Sequence, residues 1–82
     1  MRVTVSDHRG VLFEGNVAYA LIPAQGVMLS VGEYHQPMIC RMVKGTMTLF
    51  FSGKDSGKRA FSLAGGVSYI NGNELQVFAG AV

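Results

Sequence analysis

The segment Val31–Pro37, VGEYHQP, sets a carboxylate, a phenol and an imidazole at three consecutive positions, Glu33, Tyr34 and His35, between Gly32 and Pro37. Side chains of these types can move protons, ligate a metal or anchor a protein contact. A zinc site needs three or four converging donors. The donors at hand are His35, Glu33, His8 and Cys40, with neither an i, i+3 nor a C-x-x-C spacing among them, so no metal site is expected. Nucleophilic catalysis would pair Cys40 with His35. In an extended segment, however, Cys40 shares a face with Met38 and Met42, which reads as a small buried hydrophobe. His8 lies in the polar turn SDHRG. The carboxylates Asp7, Glu14, Glu33, Asp55 and Glu74 stand singly, so no acid–base pair is formed. The stretch SGKDSGKRA fails as a phosphate loop: three residues separate Gly53 from Gly57, and Arg59 stands where Ser or Thr is required. Gly65-Gly66 does not form a dinucleotide fingerprint and reads as a close backbone approach or bulge between strands. No catalytic residue, cofactor or metal is therefore expected, and Glu33-Tyr34-His35 is left as a surface.

The elements that must position this surface are strands. Glycine and proline recur at Gly10, Gly15, Pro23, Gly26, Gly32, Pro37, Gly45, Gly53, Gly57, Gly65-Gly66 and Gly72, too closely for helices of ordinary length. Between these breaks the pattern has period 2, the mark of strands with one buried face. Met47, Leu49 and Phe51 alternate with Thr46, Thr48 and Phe50. Leu75, Val77 and Ala79 alternate with Gln76 and Phe78, and Phe61 and Leu63 flank Ser62. Asn71-Gly72 predicts a tight hairpin, and Ser52–Lys58 a polar hairpin loop joining Thr46–Phe51 to Arg59–Leu63. The count is about eight to ten short strands with turns every 8–12 residues, which predicts an all-β sandwich or barrel.

Composition bounds the class. The 82 residues make one domain, 1–82, which can bury only about 60–65% of its unfolded surface. Hydrophobic residues at 49% and charged residues at 15% exclude disorder. The net charge of +2 is carried by scattered basic residues, of which only Lys58 and Arg59 are adjacent. That is a thin case for nucleic acid. A single-stranded nucleic-acid barrel is the alternative function, and it would need Phe50, Phe51 and Phe61 interleaved with Lys54 and Arg59 on one face. A lone Cys40 allows no internal disulfide and points to a reducing compartment, by default the bacterial cytoplasm. No signal peptide is expected, and no apolar run approaches the ~18 residues of a membrane span.

The order of motifs carries a resemblance. GVLFEGNV (Gly10–Val17) is followed by LIP (Leu21–Pro23), GVM (Gly26–Met28), HQPMI (His35–Ile39), VKGTM with Gly45 eight residues after Pro37, and LAGGVSYINGNELQVFA. This ordered set resembles the amino-terminal domain of the epsilon subunit of F-type ATP synthases, called delta in mitochondria, and covers nearly the whole chain. The resemblance implies a two-sheet β-sandwich at the foot of the rotating central stalk, packed on the gamma subunit and resting on the polar loops of the c-ring. It implies no catalytic role. It places docking on the segment before and through the His-x-Pro motif: Leu29, Ser30, Val31, Gly32, Glu33, Tyr34, His35, Gln36 and Pro37. It also implies a peripheral position on the cytoplasmic side of the membrane.

Two departures from the family pattern stand out. Gly-Ile-Leu-Pro-Gly is usual before the histidine; here Leu29–Tyr34 is one residue longer, as in a divergent or alternative ATP synthase. The family's carboxy-terminal helical hairpin, with its inhibitory role and occasional ATP binding, is not expected in this chain.

Overall fold

The computed structural model describes residues 1–53 and 57–80. Nine strands form among the described residues: β1 (Arg2–Asp7), β2 (Gly10–Asn16), β3 (Tyr19–Ala24), β4 (Val27–Gly32), β5 (His35–Met42), β6 (Gly45–Phe50), β7 (Lys58–Leu63), β8 (Gly66–Gly72) and β9 (Glu74–Ala79). There is no helix among the described residues. The all-β expectation and the strand count hold. The middle of the expected Ser52–Lys58 loop, residues 54–56, lies outside the described residues, as do the last two; Phe51 N–H donates to Gly57 O at 2.8 Å across the loop's base.

The strands fall into two layers. Sheet one runs β2-β1-β9-β8-β5, and sheet two runs β4-β3-β6-β7. The layers meet at one corner, where Ala24 pairs with Met42 and Val43 N–H donates to Pro23 O at 3.0 Å. The chain crosses from β5 to β6 at this corner. Gly45 is suited to the crossing because a Cβ there would sit 3.0 Å from Pro23 Cβ. All pairings are antiparallel except β1 with β9, which brings the first and last strands together in the middle of sheet one.

The period-2 pattern explains which face is buried. Cross-strand partners share a face, so the registers line up inner rows: Val3, Leu75 and Ile70; Val5, Val77, Ser68 and Cys40; Val31, Ala20 and Leu49. Of these, Val3, Val5, Val31, Ala20, Leu49, Leu75 and Val77 have no exposed surface. Cys40 is buried as expected. The open side between the edge strands β2 and β7 is filled by Phe13, Phe51 and Phe61, with ring centroids 5.9 and 6.3 Å from that of Phe13. The Arg59 guanidinium lies over two of these rings, 4.9 Å from Phe61 and 5.6 Å from Phe13.

One turn differs by a residue from its sequence reading. Asn71 pairs with Glu74, so the central residues of the β8–β9 hairpin are Gly72 and Asn73, and Gly72 alone takes a positive φ, +62°. Positive φ at the first central position only is the II′ requirement, which glycine meets without steric cost. The Gly65-Gly66 approach is as read: a Cβ on Gly66 would lie 2.2 Å from Phe78 O.

Candidate functional site

The segment Leu29–Pro37 is not one loop. Leu29–Gly32 ends β4 in sheet two, His35–Pro37 begins β5 in sheet one, and Glu33 and Tyr34 alone make the turn between the layers. Strand alternation then divides the side chains. Val31 has no exposed surface and belongs to the core, and Leu29 packs against it half-buried. Ser30, Gln36 and Pro37 are exposed; Gly32 and His35 are half-buried. The His35 Nδ1 lies 2.9 Å from the Gln36 carbonyl oxygen.

The two turn residues have different surroundings. A Glu33 carboxylate oxygen lies 3.2 Å from the Met1 amine, which also donates to Val17 O at 2.9 Å. Tyr34 is 80% exposed, the most exposed large hydrophobic side chain among the described residues. Its backbone N–H donates to the Asn73 side-chain oxygen at 3.4 Å. The backbone of Asn73 accepts from Arg2 N–H at 2.8 Å. One end of the sandwich therefore gathers Met1, the Glu33–Tyr34 turn and the β8–β9 turn. Asn73 was not singled out in the sequence, because four strands separate it from Tyr34 along the chain and nothing in INGNEL marks its partner.

A second exposed group adjoins this end. Tyr19 pairs with Gly32 on one side and Phe50 on the other, and Phe50 pairs with Lys58. The Tyr19 and Phe50 rings stack at 4.4 Å and 7° on the outer face of sheet two. They line a shallow recess of about 430 Å³ with Phe51, Gly57 and Lys58. Phe50 was legible as the outward residue of TMTLFF; its partner Tyr19 was not, since thirty residues separate them.

The outer face of sheet one is apolar in its middle. Ile39 pairs with Tyr69, and Val67 with Phe78, in adjacent rows. Their exposures of 68, 46, 42 and 52% make a contiguous apolar patch of the sort that marks a protein contact.

The chemical alternatives find little support. Among the described residues no three His, Cys, Asp or Glu side chains are grouped to hold a metal. Cys40 Sγ lies 3.7 Å from the Arg41 carbonyl oxygen, and no hydrogen bond joins it to His35. His8 is exposed in the β1–β2 turn. There Asp7 accepts from Arg9 at its backbone N (2.8 Å), Nε (3.0 Å) and a terminal guanidinium nitrogen (2.7 Å). The Arg9 side-chain hydrogen bonds, with the backbone one next, hold the Asp7 carboxyl below its ordinary value, and they raise Arg9. That motif fastens a turn. Phe51, Phe61 and Arg59, which a nucleic-acid surface would need outside, are engaged with Phe13 at the open side of the sandwich. Lys54 lies outside the described residues.

Fold and surface together describe a β-sandwich that leaves several aromatic side chains, Tyr34, Tyr19, Tyr69 and Phe78, exposed outside its core. No family model matches the sequence, and no curated protein matches it closely. Solved structures do. A chain in the structure of the Euglena gracilis mitochondrial ATP synthase, comprising OSCP, F1 and c-ring, superposes with a TM-score of 0.84 at 14% identity, covering 94% of this chain and 48% of that one. A chain in the central stalk and c-ring structure of the Tetrahymena thermophila mitochondrial ATP synthase gives 0.78 at 15% identity, covering 99% of this chain and 63% of that one. The expected sandwich is thus a fold found in ATP synthase stalk and ring assemblies. The chain spans about half to two-thirds of the length of these neighbours.

Proposed function

We propose that this chain is a non-catalytic rotor subunit of an F-type ATP synthase, an epsilon-like sandwich that joins the gamma subunit to the c-ring. The observation that carries the reading is the superposition of nearly the whole chain on chains of two assemblies that contain a c-ring. The motif order of the sequence supports the same family independently of the fold.

Two surfaces suit two contacts. The apolar patch of Ile39, Tyr69, Val67 and Phe78 suits the packing on gamma that the resemblance implies. The Glu33–Tyr34 end, with exposed Ser30, Gln36 and Pro37 beside it, suits polar loops of a ring. Val31 and Leu29 belong to the scaffold behind that end. The mechanism is mechanical. Two sheets share one core, so a force applied at the turn end reaches the patch without rearranging side chains, because close-packed interiors transmit strain. No group in this reading does covalent chemistry, binds nucleotide or holds a metal.

The position on the membrane is peripheral and follows from the ring. The single cysteine suggested a bacterial cytoplasm; both neighbours are mitochondrial, which weighs against taking the bacterial setting as given. The test is capture of purified gamma subunit, and of a gamma–c-ring subcomplex, by the tagged full chain. Retention of both, with recovery of ATP-driven ion pumping when the chain is added back to depleted membranes, is expected. Failure to retain either partner overturns the reading.

A further inference from the structure

Tyr34 stands in a conformation that costs free energy and buries little of its side chain in return. Its φ of +59° is the one positive value at a non-glycine residue among the described residues. At six other positive-φ positions, Gly10, Gly26, Gly53, Gly65, Gly66 and Gly72, the chain uses glycine. For a bulky L residue this region brings Cβ against the following carbonyl oxygen. The turn crosses between sheets instead of closing a hairpin, since β4 pairs with β3 and β5 with β8. That crossing sets the backbone. With an 80% exposed ring, Tyr34 recovers no burial to offset the strain. Glycine or asparagine would suit the turn better.

We infer that Tyr34 is a pre-organised docking anchor, held at a cost to stability, and that Asn73 is its positioning residue. The inference rests on the docking reading above and deepens it. The left-handed backbone aims the ring away from both sheets. The Asn73 side-chain oxygen receives the Tyr34 N–H at 3.4 Å, and the Asn73 carbonyl receives Arg2 N–H at 2.8 Å. The turn is thereby tied to β1 and to the β8–β9 hairpin. An anchor already fixed in its bound direction loses less freedom on docking, and tyrosine has only two side-chain torsions to fix. Strain retained at an exposed aromatic is expected where a partner uses it.

The test uses three variants of the full chain, with thermal unfolding and binding to a detergent-solubilised gamma–c-ring subcomplex as readouts. Tyr34→Ala keeps the strain and removes the ring: binding falls about 30-fold or more, and melting barely moves. Tyr34→Gly removes both: binding falls equally, but melting rises about 2–6 °C above Tyr34→Ala, because relief of the turn outweighs the freedom glycine adds to the unfolded chain. Asn73→Ala keeps the ring and loosens it: binding falls about 3–10-fold. In the Tyr34→Ala background Asn73→Ala has no further effect on binding, which a merely structural role for Asn73 would not produce. If Tyr34→Ala binds normally, the docking reading itself falls. If Tyr34→Ala loses binding while Tyr34→Gly melts no higher and Asn73→Ala binds as wild type, docking stands and the pre-organised anchor is refuted.

Discussion

Replacing Gly66 by alanine tests the tightest contact in the sandwich. Its φ is +135°, a region that L side chains adopt at a cost of about 1–3 kcal/mol. The added Cβ would also stand 2.2 Å from Phe78 O, 2.7 Å from Gly80 N and 3.1 Å from Ala79 Cα. All three are backbone atoms of β9 and its continuation, so no rotamer change relieves them. β9 must withdraw by about 1 Å, which puts the 2.9 Å bond from Gly80 N–H to Gly65 O at risk, worth about 0.5–1.5 kcal/mol. The combined loss is about 1.5–4.5 kcal/mol. A domain of this size holds about 4–12 kcal/mol in all, so melting should fall by roughly 6–36 °C. Gly10→Ala is the control: its φ is +129°, but nothing lies within 4 Å of its Cβ, so it carries backbone strain alone. Urea unfolding of the two variants, compared at constant m-value, isolates the clash. Equal losses in Gly66→Ala and Gly10→Ala would show that β8 and β9 do not approach this closely.

Other residues give sharper distinctions within the same sandwich. Val31→Ala, inside the stretch that the resemblance assigns to docking, should cost about 2–3 kcal/mol by denaturant unfolding, because Val31 is fully buried; a loss below about 0.5 kcal/mol would place it outside the core. Ser68→Ala should be neutral or raise stability by about 1 kcal/mol, since the hydroxyl is buried without a partner among the described residues; a clear loss would reveal a hydrogen bond it makes. Asp7 titrates lower in the fold than its ordinary 3.8 because of Arg9, so its contribution is complete above about pH 4 and is lost as pH falls through the folded value. Melting followed from pH 6 to pH 2.5 should therefore show an acid-side decline that is shallower in Asp7→Asn and weaker at high salt, because the Arg9 partner is exposed to solvent ions. Identical acid limbs in the two proteins would remove Arg9 as the cause.

Much of this molecule was legible along the chain because its causes are local. Alternation in TMTLFF, KRAFSL and ELQVFA marks the buried faces of β6, β7 and β9, and those faces are buried because a strand's side chains alternate whatever its neighbours are. The glycine and proline breaks locate nearly every turn for the same reason: φ preferences belong to single residues. Pairing is a property of residues far apart, and here the sequence was silent. Nothing in it sets β1 parallel to β9, bends the chain at Ala24 and Met42, or stacks Tyr19 on Phe50. Only the tertiary structure divides VGEYHQP as well. Val31 goes to the core, Glu33 to the Met1 amine, and Tyr34 to solvent in a left-handed turn held by Asn73. Alternation and turn spacing determined an all-β sandwich or barrel, the resemblance narrowed it to a sandwich, and residue types marked Glu33–His35 as a surface cluster. Which of that cluster's side chains are free to meet a partner depends on where two sheets cross, and the free energy that sets the crossing is shared among strands that no local pattern links.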